Sequence, residues 1–219
     1  MIRNKLESGT DIFSANKRIY SPLVPYATVG IGLLLLHNAW IAIVGYHFCM
    51  ITILLIARER ISWGRISSIR GYGVITLTAL VGGSGGLLLY LLWPLLGIPD
   101  NLDLYLITIG LKGNTWPYFI VYFILINALV EEYYWRGYLG SVSKRITLND
   151  LLFSGYHIIV LAGKINIVWL FVVFICLSMA AWYWRQTNRW NRGVLTSIVS
   201  HVAADASIIM AIYFLTNKA

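Results

Sequence analysis

Between Ser21 and Leu215 the chain passes through seven apolar stretches, at about 21–36, 38–57, 72–96, 117–135, 148–162, 165–183 and 194–215, with Arg and Lys gathered in short clusters between them. A helix needs ~20 apolar residues to cross a bilayer, because lipid offers no partner to a backbone N–H or C=O left outside the helix. This pattern commits the chain to an all-α fold, a polytopic transmembrane helical bundle of about seven spans, with six to eight compatible with the segment lengths. The block from Pro22 to Ala57 is too long for one span and short for two. Basic residues on both sides of it, Arg3, Lys5, Lys17 and Arg18 before and Arg58, Arg60, Arg65 and Arg70 after, require an even number of crossings if both clusters face the cytoplasm. A tight helical hairpin turning near His37–Asn38 is therefore expected. The short segment 148–162 is expected either to span or to re-enter.

The remaining clusters alternate: the acidic 99–114 stretch falls outside, Arg136, Lys144 and Arg145 inside, Lys164 outside, and Arg185, Arg189 and Arg192 inside. Positive charge in these places accounts for the formal +8 without nucleic acid, so the expected partner is the lipid bilayer. A content of 58% hydrophobic and only 12% charged residues excludes an ordinary soluble domain. The polar N-terminal segment 1–20 lacks an apolar core or a cleavage site, which predicts no removable signal peptide and a cytoplasmic N-terminus. Cys49 and Cys176 stand alone in apolar surroundings and read as small core residues. With no repeat or linker in view, residues 1–219 are expected to form a single integral-membrane domain with its polar-motif core at 117–215, in a plasma membrane, the bacterial inner membrane by expectation.

Against this background the charges inside the apolar segments stand out. "VEEYYWRGYL" (130–139) puts Glu131 and Glu132 side by side at the end of a lipid-compatible stretch, where an unpaired carboxylate costs several kcal/mol, of order 3 on insertion scales. His157 lies nine positions into its segment, and His201 nine positions after Arg192, each ~13 Å from the cytoplasmic end at 1.5 Å per residue. Asp205 follows His201 by four residues and so shares its helix face. Each piece has a plainer reading alone: an interfacial pair with Arg136 neutralising Glu132, a hydrogen-bonded core histidine at His157, a helix-bridging contact at "HVAAD". Three helices bringing titratable groups to one depth are harder to explain as packing, and the default reading of such groups is a functional site.

These residues also carry a resemblance. "EEYYWR" (131–136), "FSGYH" (153–157) and "HVAAD" (201–205) resemble, in order and spacing, the EExxxR, FxxxH and HxxxN/D motifs of the CPBP family of CAAX-protease and bacteriocin-processing enzymes, related to the type II CAAX prenyl endopeptidases. The resemblance covers about 117–215 and implies a helical intramembrane endopeptidase with a conical cavity open to the membrane and cytoplasm. It implies that Glu131 and His157 hold and activate a water, that His201 and Asp205 stabilise the oxyanion, and that Glu132 and Arg136 support them as an ion pair. The implied substrate is a membrane-associated or lipidated protein or peptide: a prenylated CAAX tail, a bacteriocin leader or a C-terminal sorting helix. This chain departs from the commoner Asn at its last motif position, since an ionised Asp205 cannot donate to an oxyanion. Asp205 then orients His201 or helps hold a metal. Zinc suits His157, His201 and a carboxylate with an open water position, and the family has been described both as metalloproteases and as metal-independent glutamate proteases; both readings stay open here.

Two other classes compete. "GGSGG" (82–86) contains the GxSG string of rhomboid serine proteases, with Ser84 as nucleophile and His201 as its base; the same glycines equally suit a close helix crossing. A non-enzymatic proton-coupled transporter or membrane scaffold would use the buried carboxylates and histidines as a relay. No HExxH or GxGD string is present for site-2 or presenilin-like proteases.

Overall fold

The computed structural model describes residues 20–59 and 71–217. The polar segment 1–19 and the basic residues Arg60, Arg65 and Arg70 lie outside the described residues. All regular structure among the described residues is helical. We number the helices α1 (Ser21–Leu35), α2 (Ala39–Ile56), α3 (Tyr72–Leu95), α4 (Leu102–Thr108), α5 (115–138), α6 (Leu148–Leu161), α7 (Ile167–Asn191) and α8 (Leu195–Thr216).

Four of them, α2, α3, α7 and α8, are long and apolar enough to cross a membrane. Their outward faces bear Phe48, Leu55, Leu77, Leu80, Leu87, Leu91, Ile167, Phe171 and Phe214, all exposed. An apolar exterior of this extent is stable only against lipid, because in water such patches aggregate. The chain is an integral membrane protein. α6 has 14 residues, ~21 Å at 1.5 Å each against a hydrocarbon core of ~30 Å, so it reaches only part-way across.

The first block folds as the expected hairpin. His37 takes φ 46° and Asn38 caps α2, its Oδ1 accepting from Ile41 N–H at 3.0 Å. Gly32 meets Ala42 so closely that any side chain at 32 would overlap the α2 backbone.

Contact registers give the helix directions. On α3, Gly82 lies against the carbonyl of Ser200 and Gly86 against that of Ser207, with no room for a Cβ at either, so α3 and α8 run parallel. Ser200 Oγ donates to Thr78 O at 2.7 Å, and the Gly86 N–H donates to Ser207 Oγ at 3.0 Å across the same seam. α2 runs parallel to α5, since Trp40 packs on Phe119 while Tyr46 reaches Glu131. α5 opposes α8, pairing Trp116 with Tyr213 and Glu132 with His201. These directions are those of alternating traverses.

α5 departs from a regular helix. Phe123–Asn127 and Glu132–Tyr138 are π-helical, a rare geometry that re-aims side chains and is frequent at functional sites; α1 has a third such turn at Ile31–Leu35. From Glu132 to Arg136 every residue on this segment is buried, a consequence of its central position between α2, α6 and α8.

Candidate active site

Glu131 and Glu132 are both completely buried, and adjacent residues on one helix necessarily point in different directions. Their surroundings differ accordingly. Glu132 Oε1 accepts from His201 Nδ1 at 2.9 Å and pairs with Arg136 Nη1 at 3.0 Å. The Arg136 guanidinium in turn lies 3.9 Å above the Phe153 ring and 5.1 Å from that of Trp184. Cation–π contact of this kind suits Arg, whose weakly hydrated plane loses less on burial than an ammonium.

Glu131 Oε1 accepts from two phenols, Tyr46 at 2.6 Å and Tyr156 in a very short contact. Its other oxygen, Oε2, has no hydrogen-bond partner among the described residues and lies 3.5 Å from His201 Nε2. Asp205 Oδ1 stands at the same 3.5 Å from that nitrogen. His201 therefore donates from Nδ1 to Glu132 and turns Nε2 toward the gap between Glu131 and Asp205. Its ring is stacked on Trp184 at 4.5 Å, and Trp184 Nε1 is held by Ser200 Oγ at 3.0 Å. The imidazole thus has no freedom to swing.

His157 belongs to the same cluster by packing, with its ring 4.1 Å from Tyr156 and 5.0 Å from Phe153. It makes no direct polar contact with either glutamate among the described residues. Its Nδ1 bonds the carbonyl of Phe153 at 2.9 Å. A carbonyl only accepts, so Nδ1 carries the proton and the neutral ring presents Nε2 as a lone pair.

Glu131, Glu132, Arg136, His201 and Asp205 thus form one connected network, and His157 stands beside it. Six residues that the sequence reading passed over complete it. Tyr46 and Tyr156 hold Glu131, and Trp135 Nε1 donates to Tyr46 Oη at 3.1 Å. Asn127 Nδ2 donates to Asp205 Oδ2 at 3.0 Å, while its Oδ1 meets His47 Nε2 at 3.1 Å, and His47 Nδ1 meets Tyr122 Oη at 2.9 Å. His47 and Asn127 were detectable by the rule that polar groups at membrane depth are costly. The tyrosines were not, since 14 of them are scattered along the chain.

Zinc does not fit the set expected for it. Among the described residues no group of three or more His, Cys, Asp or Glu side chains is arranged to hold a metal ion, and His157 does not meet His201 and a carboxylate around one point. The geometry lends the rhomboid alternative no support. Ser84 Oγ donates back to Val81 O at 2.7 Å on an exposed face of α3, while His201 is occupied by carboxylates. The glycines around Ser84 serve the α3–α8 crossing instead.

No curated protein and no solved structure matches the chain. Residues 113–207, which run from the start of α5 past Asp205, match the family described as type II CAAX prenyl endopeptidase Rce1-like. With all three motifs inside that stretch and an all-helical membrane bundle around them, the chain is related to the CAAX-protease (CPBP) family of membrane proteases.

Proposed function

We propose that this chain is an intramembrane endopeptidase that hydrolyses a peptide bond in a membrane-anchored or lipidated substrate, with a prenylated C-terminal tail as the substrate its family relationship favours. The observation that carries the reading is the asymmetry of Glu131: one oxygen held by two phenols, the other buried, without a hydrogen bond among the described residues and 3.5 Å from His201 Nε2. A carboxylate buried without a full set of partners is costly. A reacting water and a scissile carbonyl are the ligands that would complete it.

In this reading a water bound between Glu131 Oε2 and the lone pair of His157 Nε2 attacks the carbonyl carbon as its proton passes to Oε2. The C=O electrons move onto oxygen, and that oxyanion is received by a donor at His201 Nε2, which Asp205 orients. Collapse reforms the carbonyl, the C–N bond breaks, and Glu131 hands its proton to the leaving amine. Glu132 and Arg136 hold His201 Nδ1 and the helix end. No step passes through a metal. The reaction sits in one integral-membrane domain, with the catalytic core at 117–215 and, by the positive-inside rule, a cytoplasmic N-terminus in a plasma membrane.

The test is hydrolysis of a quenched fluorescent peptide ending in a prenylated CAAX sequence by the purified protein in detergent. Cleavage by wild type and none by Glu131→Gln is expected. Equal cleavage by both would overturn the assignment, and proton flux in liposomes lost with Glu131→Gln would favour a transporter.

A further inference from the structure

Two of the residues that orient Glu131 and Asp205 come from α2, which lies outside residues 113–207. Tyr46 and His47 are neighbours on that helix, both almost completely buried, at 2% exposure each. Tyr46 has one hydroxyl proton. Its oxygen accepts from Trp135 Nε1 at 3.1 Å, which leaves the proton for Glu131 Oε1 at 2.6 Å. The Tyr156 phenol binds the same oxygen.

His47 works through an intermediary. Asp205 Oδ2 only accepts, so the Asn127 atom facing it is the amide N–H, and Asn127 Oδ1 then accepts from His47 Nε2–H. With its proton on Nε2, His47 has a lone pair on Nδ1 for the Tyr122 O–H at 2.9 Å. The direction of every bond in the file Tyr122, His47, Asn127, Asp205 is thereby set. An amide in the middle makes it an orienting chain rather than a proton wire.

The two arms do the same thing to two carboxylates. Each pins one oxygen, Oε1 of Glu131 and Oδ2 of Asp205, and leaves the other facing His201 Nε2 at 3.5 Å. A carboxylate free to turn about its last bond presents either oxygen; one pinned on one side presents only the other. We infer that Tyr46 and His47 are positioning residues, supplied by α2, which aim Glu131 Oε2 and Asp205 Oδ1 at the reacting centre. This rests on the protease reading above and adds α2 to its active site.

Positioning acts on the chemical step more than on substrate binding, so the signature is a fall in kcat at nearly constant KM. A hydrogen bond to a charged group is worth about a factor of ten or more. Tyr46→Phe is expected to lower kcat about tenfold, and Tyr46→Phe with Tyr156→Phe about a hundredfold, with KM changed less than about threefold. His47→Leu is expected to lower kcat about tenfold and His47→Gln to restore most of it, since a glutamine amide can still donate to Asn127 Oδ1.

Each variant is measured on the prenylated peptide beside wild type and Glu131→Gln, with its melting temperature in detergent. If Glu131→Gln is inactive while Tyr46→Phe and His47→Leu keep wild-type kcat, the inference is overturned and the protease reading stands. If they raise KM alone, α2 binds substrate and the inference is likewise overturned. If Glu131→Gln remains active, both fall. If the double Phe variant does not fold, the single variants and the His47→Leu and His47→Gln pair still decide.

Discussion

Two buried ion networks in this bundle use the same residue types and differ in how completely they are satisfied. Where α6 begins and α7 ends, Asp150 and Arg185 form an ion pair at 2.7 Å. All three guanidinium nitrogens are engaged, with Asp150 on two of them and the carbonyls of Ser141, Ser143 and Arg145 completing the set. Asp150 Oδ2 also takes the N–H of Thr147 at 2.8 Å and its hydroxyl at 2.9 Å, closing a capping box on α6. Nothing is left over. The network around His201 is the reverse: Glu131 Oε2, Glu132 Oε2 and Arg136 Nη2 are buried without hydrogen-bond partners among the described residues. A saturated network fixes a loop, whereas an unsaturated one retains capacity for a ligand at the cost of stability. Satisfaction, rather than burial or charge, separates the structural pair from the candidate site.

The sharpest way to break that distinction is to neutralise each network in turn. Glu131→Gln removes the proposed base but keeps an acceptor for Tyr46 and Tyr156. Peptide hydrolysis is expected to fall by about 10²–10⁴-fold, the usual contribution of a general base. The melting temperature should hold or rise, since a desolvated charge is gone. A matching loss of stability would mean that Glu131 is structural.

Asp150→Ala is the mirror experiment. It leaves Arg185 as a buried charge without its carboxylate and opens the cap of α6. Breaking a buried pair in this way costs about 3–5 kcal/mol. The expected result is a large drop in melting temperature in detergent, with the kcat of the surviving folded fraction near wild type. A stable Asp150→Ala protein with collapsed kcat would instead join the loop 139–147 to the active site.

The sequence made the site's titratable groups legible and its supports much less so. Glu131, Glu132, Arg136, His201 and Asp205 could be placed because charge in lipid is expensive, and helical rise converts spacing into depth. His157 was singled out by its place in an apolar segment, but the fact that its Nδ1 is spent on Phe153 O depends on a rotamer that spacing does not reveal. The hairpin turn at His37–Asn38 was legible from charge parity. The π-helical turns of α5 were not, because an extra residue in a helical turn leaves no periodic signature in the sequence. Tyr46 and Tyr156 look like any aromatic in a bundle until their partner is known.

A smaller effect is expected at Asp205, where the chain has Asp at a position for which the motif it resembles allows Asn or Asp. Its Oδ2 accepts from Asn127 and its Oδ1 faces His201 Nε2. In Asp205→Asn the amide oxygen can keep the Asn127 bond while the amide N–H turns toward the gap, adding a donor where negative charge develops. Activity within about tenfold of wild type is therefore expected, measured as kcat/KM on the prenylated peptide with and without a strong chelator. Chelator-sensitive wild type together with an inactive Asp205→Asn would mean that the carboxylate binds a metal and the metal-free scheme is wrong.

The smallest effect should come from the residue that most resembled a nucleophile. Ser84 lies between Gly83 and Gly85 on α3, but its hydroxyl is committed to Val81 O one turn back and its side chain is exposed on the bundle surface. A serine that bonds its own helix in this way satisfies itself in lipid and contributes little to the fold. The close approach of α3 to α8 depends on Gly82 and Gly86, against Ser200 and Ser207, and Ser84 takes no part in it. Ser84→Ala should leave kcat/KM unchanged and shift stability by no more than about 0.5 kcal/mol, as for surface substitutions generally. Gly82→Leu on the same helix provides the contrast, since its side chain must displace the backbone of α8 at Ser200, one residue before His201. Loss of activity in Ser84→Ala with a normal melting temperature would reopen the serine-protease reading and make the unsaturated network around His201 a bystander.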